Sequence, residues 1–216
     1  AIAPIPPNLV RPATTRGSAH TARIAAERAR GRLILGQFGS IYPKKQSTIV
    51  LDIAAALVAR GEDPFVVFAG SFVKGLDRVE EEFRAHIAAL SLTDRVLVTG
   101  YVADDAEVFG VLDAVDVFAY VFAEGLTARR GSVLAAAMTG RPVIVNAPVA
   151  VAAFDHHPTY RRLLDKGVLR LVPHAAGPDS LADAVLAARN APRVADPLDE
   201  PAAWRDALAA VRAVLA

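Results

Sequence analysis

A chain of 216 residues, 53% hydrophobic and 22% charged, is long enough for one large α/β domain and short for two. Its 24 basic and 23 acidic side chains leave a formal net charge of +1, so nothing global draws it to nucleic acid or anionic lipid, and any electrostatic site must be local. Having no cysteine, it has no disulfide framework, thiolate metal site or cysteine nucleophile.

No apolar run reaches the ~20 residues needed to span a bilayer. The start, "AIAPIPPNLVRP", lacks the basic lead and apolar core of a signal peptide and reads as a proline-rich connector (residues 1–14). It also lacks an initiator Met, so the chain is expected to be a piece of a longer protein. Abundant alanine and arginine beside four lysines point to a GC-rich bacterial genome, and the absence of cysteine fits a reducing cytosol without establishing it.

In chain order, short apolar runs fall at 32–38, 64–70, 95–101, 115–121, 142–147 and 167–172. They are rich in Val, Leu, Ile and Phe with little alternation, as in parallel strands covered on both faces. Helical patterns lie between them. "STIVLDIAAALVARG" (47–61) starts with Ser47 as a cap and stops at Gly61. "RVEEEFRAHIAAL" follows at 78–90, and within 99–117 a turn after a strand leads to a short helix whose N-terminus suits Asp104 or Asp105. "SVLAAAMTG" sets Val133, Leu134, Ala137 and Met138 on one face, with Gly140 as C-cap and Pro142 barring continuation. Helices at 179–190 and 201–216 complete the series, the last after a linker, "NAPRVADPLDEP". This alternation predicts a doubly wound parallel α/β sheet over residues 1–190, followed by the linker and terminal helix over 191–216.

In such sheets ligands bind at the carboxyl ends of the strands, here the loops 39–46, 71–77, 100–106 and 122–132. "GQFGSIYPKKQ" (36–46) is neither G-x-G-x-x-G nor a P-loop. The second strand ends "FAGSF", without the acidic residue that holds a ribose in NAD-binding folds, which argues against a nicotinamide enzyme. What remains is Lys44 and Lys45 beside a helix start, either a phosphate contact or an exposed pair. In "EGLTARRGSVLAAAMTGRPV" (124–143), Arg129 and Arg130 stand where a helix start already carries partial positive charge, an arrangement that suits an arriving anion. Gly131 permits close approach and Ser132 adds a hydroxyl. The plainer reading turns both arginines to solvent or pairs them with Glu124. Asp104 and Asp105 read as caps rather than a metal pair. His156 and His157 read as a surface loop, Tyr160 as part of a helix start, and Trp204 as a packing residue.

Taken together, the chain resembles the C-terminal, nucleotide-sugar-binding, Rossmann-like domain of GT-B glycosyltransferases, in particular family 4. "FGSIYPKKQ" is similar to that family's G-R-x-x-x-x-K-G, with Gly39 and Lys45 matching. "PIPPNLV" resembles the connector into the domain, "VLVTGYVADDAEVFGVLDAVDVFAYVF" the stretch from the base-binding loop to the donor-site strand, and "AAAMTGRPVIV" the E-A-x-A-x-G-x-P-V segment. Ser40 stands where the family has a phosphate-binding Arg, Gln46 where it has Gly, and the two glutamates eight apart fall on Thr127 and Ala135, with Glu124 three residues early. The form therefore resembles a variant branch with an Arg-Arg-Gly-Ser turn. The resemblance implies a donor diphosphate held by Gly39, Ser40, Lys45, Glu124, Thr127, Arg129, Arg130, Gly131 and Ser132, and a base near Tyr101 and Val102. It implies no metal or other cofactor, sugar transfer with retention, and a missing N-terminal GT-B domain that supplies the acceptor. The fragment alone is then expected to be inactive, the whole protein cytoplasmic, with peripheral membrane contact through the full-length protein left open. Two alternatives stand beside it: a non-catalytic glycosyltransferase-like docking module, and another nucleotide-binding α/β enzyme such as a sugar epimerase, for which no Tyr/Lys or His/Asp set presents itself.

Overall fold

The computed structural model of the chain describes residues 4–73, 75 and 78–215. The first three connector residues, part of the 71–77 loop and Ala216 lie outside that range. Six strands form one sheet: β1 (Leu33–Phe38), β2 (Pro64–Ala69), β3 (Val96–Val98), β4 (Val117–Tyr120), β5 (Val143–Asn146) and β6 (Leu169–Val172). Their spatial order is β3-β2-β1-β4-β5-β6, and every pairing is parallel. β2, β4 and β5 are buried along their whole length, which is why they read as unbroken apolar runs.

Among the described residues eight α-helices accompany the strands: α1 (Ala19–Ala29), α2 (Ser47–Ala59), α3 (Val79–Ala89), α4 (Asp105–Asp113), α5 (Gly131–Ala137), α6 (Pro158–Asp165), α7 (Pro178–Ala188) and α8 (Glu200–Leu215). Ile24 of α1, Phe109 of α4, Leu134 of α5 and Tyr160 of α6 join one core. Leu51 of α2, Phe83 of α3 and Leu181 of α7 join the other, so the sheet is covered on both faces. α8 packs on α6 and buries Ala203 and Ala207, while Trp204 is 46% exposed rather than packed inside.

Three local expectations are corrected. The sequence pattern assigns no helix before β1, yet α1 is there, opened by Ser18 and Thr21 in a reciprocal capping box. Only Ile24 and Glu27 of α1 are buried, so its apolar periodicity is faint. Ser47 does not cap α2. Gln46 occupies that position at φ 48°, and the Ser47 hydroxyl instead donates to Gln37 Oε1 at 2.6 Å inside the core. α5 ends sooner than expected, with Met138 rather than Gly140 as its cap; Gly140 closes the turn that follows.

Glu27 has no solvent exposure, and its carboxylate takes Arg23 at 2.8 Å, Arg30 at 3.1 Å and Arg32 at 3.0 Å. Arg32 is itself largely covered, which makes this the polar tie between α1 and β1. Glu27→Ala is expected to cost about 2–3 kcal/mol, less than a fully buried pair because Arg23 and Arg30 stay solvated. Urea denaturation measures it.

Candidate functional site

The strand order reverses between β1 and β4. The chain leaves β1 for α2 on one face and leaves β4 for α5 on the other, so the two loops part and a crevice opens at the strands' carboxyl ends. The resulting cleft has a volume of about 560 Å³. Its walls come from the loop after β1, residues 70–71 after β2, residues 100–105 after β3, and the turn 129–132, with Asn8 and Leu9 closing one side.

Lys45 enters through a local device. Tyr42 is extended, Pro43–Lys45 form one tight helical turn, and Gln46 is left-handed, which folds the Lys45 side chain back under its own loop. The ammonium donates to the Phe38 carbonyl at 2.5 Å and lies 5.5 Å from the centre of the Tyr120 ring. Gly39, at φ 100°, covers it: a Cβ there would stand 2.9 Å from Nζ and 3.2 Å from Ser132 Cβ. No carboxylate reaches Lys45 among the described residues, and it is 2% exposed. Burial, with the charge of Arg130 adding to it, holds the amine down at about 7.

Arg130 is held from three directions. Its guanidinium lies 4.2 Å from the Phe122 ring centre, Nη2 donates to Glu124 Oε1 at 2.7 Å, and Nη1 to the Tyr42 hydroxyl at 3.3 Å. Nε is buried without an acceptor among the described residues. An N–H left dry is costly. α5 has only seven residues, so it contributes little macrodipole; the positive charge at this end is mainly the Arg130 side chain. The loop that presents it is bracketed by Asn146, whose amide accepts from the Phe122 N–H at 3.0 Å and donates to its carbonyl at 2.8 Å.

The fold therefore brings Gly39, Ser40, Lys45, Tyr101, Val102, Arg129, Arg130, Gly131 and Ser132 to one cleft. Arg129 is exposed at its rim. Glu124 stays outside the lining and acts on Arg130. Thr127 does not line the cleft, its hydroxyl being buried without a partner. Gly131 is close to the chain's own Asn8, whose Oδ1 would meet a Cβ at 3.2 Å. Asn8, Tyr42 and Phe122 are cleft residues that sequence reading passes over; only the proximity of Tyr42 to Lys45 signalled one of them.

Asp104 caps α4, accepting from the Ala106 N–H at 2.8 Å. The expectation of a surface loop at the histidines is overturned for His157, which is 1% exposed with its ring 4.4 Å from that of Tyr160. Pro158 starts α6 and turns His157 inward. Burial lowers this imidazole to about 4 against the opposing pull of the Ile5 backbone. Among the described residues no three His, Asp or Glu side chains converge as a metal cage, and no helix is long and apolar enough to cross a membrane.

The family model described as Glycosyl transferases group 1 matches residues 32–190. No curated protein matches the chain. Among solved structures it is similar to Alr3699/HepE of Anabaena in complex with UDP-glucose, at 19% identity and TM-score 0.62, over 92% of this chain and 54% of that one. It is similar to WaaG, a glycosyltransferase involved in lipopolysaccharide biosynthesis, at 15% identity and TM-score 0.60, over 95% and 51%. It also resembles the C-terminal domain of the group 1 glycosyl transferase LpcC from Francisella tularensis, at 16% identity and TM-score 0.54, over 89% of each chain. Such identities carry the fold alone. The chain spans about half the length of HepE and WaaG.

Proposed function

The chain belongs to the glycosyl transferases group 1 family and has the fold of the C-terminal domain of its GT-B enzymes, and from that premise we propose that the cleft holds the diphosphate of a nucleotide-sugar donor. The observation that carries this is the pairing of a buried amine whose one hydrogen-bond partner among the described residues is a carbonyl with a clamped guanidinium whose Nε has no partner among them. A diphosphate supplies acceptors to both and relieves their mutual repulsion. Arg130 takes the place left by Ser40, reaching the phosphates from the turn after β4 instead of the loop after β1.

In transfer, the bond between the sugar's anomeric carbon and the β-phosphate oxygen breaks, and negative charge grows on the leaving diphosphate. Lys45 and Arg130, fixed in place beforehand, stabilise that charge without a metal ion. The base lies over Tyr101 and Val102. HepE is described with UDP-glucose, which puts uridine diphosphate first among donors to try. An N-terminal domain supplies the acceptor, transfer retains anomeric configuration as in family 4, and this fragment alone binds without transferring. The reading takes the whole protein as cytoplasmic.

A second reading, a docking module that keeps the fold without transfer, is favoured by Ala135. It stands where the family's second glutamate meets the ribose and has no solvent exposure. Calorimetry with UDP, GDP and ADP separates the two. The donor reading expects one of them to bind, and Arg130→Ala to weaken it about tenfold or more, the worth of a charge-assisted contact. If none binds at millimolar concentration, the docking reading takes its place.

A further inference from the structure

Two tyrosines without solvent exposure stand behind the Arg130 turn, and neither lines the cleft. Tyr120, at the end of β4, accepts from the Phe38 N–H at 3.0 Å and donates to the Ser132 carbonyl at 3.1 Å. Its ring stacks at 5.9 Å on Phe122, the ring that carries the guanidinium. Tyr160, on α6, donates to the Arg130 carbonyl at 3.0 Å.

The Tyr160 hydroxyl is not filling an otherwise empty place. The Arg130 carbonyl already accepts from the Val133 N–H at 3.0 Å, so the backbone is satisfied without it. The ring has no freedom to search for a convenient acceptor either, being packed against Phe154 at 5.1 Å and His157 at 4.4 Å. A phenylalanine would fill the same space with no polar atom to bury. The hydroxyl is thus a fixed post against the residue that carries the guanidinium, brought from a helix outside the loops that form the cleft.

We propose that Tyr160 is a positioning residue of the diphosphate site, its hydroxyl holding the Arg130 backbone so that the guanidinium faces the cleft. This rests on the reading of the cleft as a diphosphate site. Tyr120 is the second post, but it also satisfies the Phe38 N–H, so its removal would mix positioning with the loss of a buried bond.

The test is a double-mutant cycle on this chain, read by calorimetric titration with whichever of UDP, GDP and ADP the wild type binds. Tyr160→Phe keeps the ring and leaves Arg130's carbonyl bonded, and the thermal midpoint of each variant verifies that it is folded. Tyr160→Phe is expected to weaken binding about three- to tenfold in the wild-type background and to change it less than about twofold in the Arg130→Ala background. An equal loss in both backgrounds, or none in the wild type, overturns the proposal while Arg130→Ala alone still supports the site. A wild-type chain that binds no diphosphate overturns both together.

Discussion

Lys45→Met is expected to weaken diphosphate binding about tenfold or more and, at neutral pH, to make the folded chain more stable by about 1–2 kcal/mol. The two effects have one cause. An amine that is 2% exposed, held by one carbonyl and repelled by Arg130, has been taken out of water without a counter-charge. Methionine fills similar space without that cost. The sign with pH is definite. The amine titrates at about 7 when folded and at the ordinary 10.5 when unfolded, so the unfolded chain binds the extra proton between those values. The native penalty is therefore fully present below pH 7 and fades as pH rises toward 10.5. The advantage of Lys45→Met must fade over the same window, which chemical denaturation at pH 6, 8 and 10 would follow. Binding runs the other way: the diphosphate favours the ammonium, so wild-type affinity falls as pH rises above 7, and the variant's profile is flatter. A variant that is less stable than wild type at pH 6 contradicts this account of Lys45.

Gly125→Ala is expected to destabilise the chain by about 2–4 kcal/mol, beyond what a left-handed backbone alone costs. Gly125 sits at φ 72° within the loop that carries Glu124 and Arg130. A Cβ there would stand 2.1 Å from the Ala147 carbonyl oxygen and 2.9 Å from Pro148 Cα, both backbone atoms that no rotamer change can move. Gly31 supplies the control, since it has φ 87° and nothing within 4 Å of its added Cβ. Gly31→Ala should cost only the conformational term, about 1 kcal/mol. Equal losses in the two variants would show that the Ala147 contact is unimportant. Because the clash pushes on the Arg130 loop, Gly125→Ala should also lower diphosphate affinity, whereas Gly31→Ala should not.

Much of the arrangement was legible without coordinates, and the reason differs by element. β2, β4 and β5 announced themselves because strands covered on both faces need unbroken apolar runs, and Gly61 and Pro142 punctuate where the chain must turn. The same alternation located the cleft, since parallel strands send their carboxyl ends to one side and the ligand loops must follow. Gly39 and Lys45 could be picked out because they match the family's first-loop pattern, and Arg129 and Arg130 because cations are unfavourable at a helix start that already carries partial positive charge. α1 escaped because a helix that buries only Ile24 and Glu27 carries little apolar period. His157 was misplaced for a related reason: a polar residue buried beside Tyr160 has no signature in the neighbouring sequence.

The order and kind of the elements from β1 onward, the doubly wound sheet and the set of loops that follow its strands were determined by the sequence itself, because local apolar period and turn chemistry are written in consecutive residues. What the cations do there was decided only by the tertiary structure. Tyr42 meets Arg130 from 88 residues away and Tyr160 from 30. Lys45 loses its proton more readily because β1, β4 and α5 close around it. Partnership and desolvation depend on which helices pack where, and that information lies in the three-dimensional arrangement rather than in any stretch of the chain.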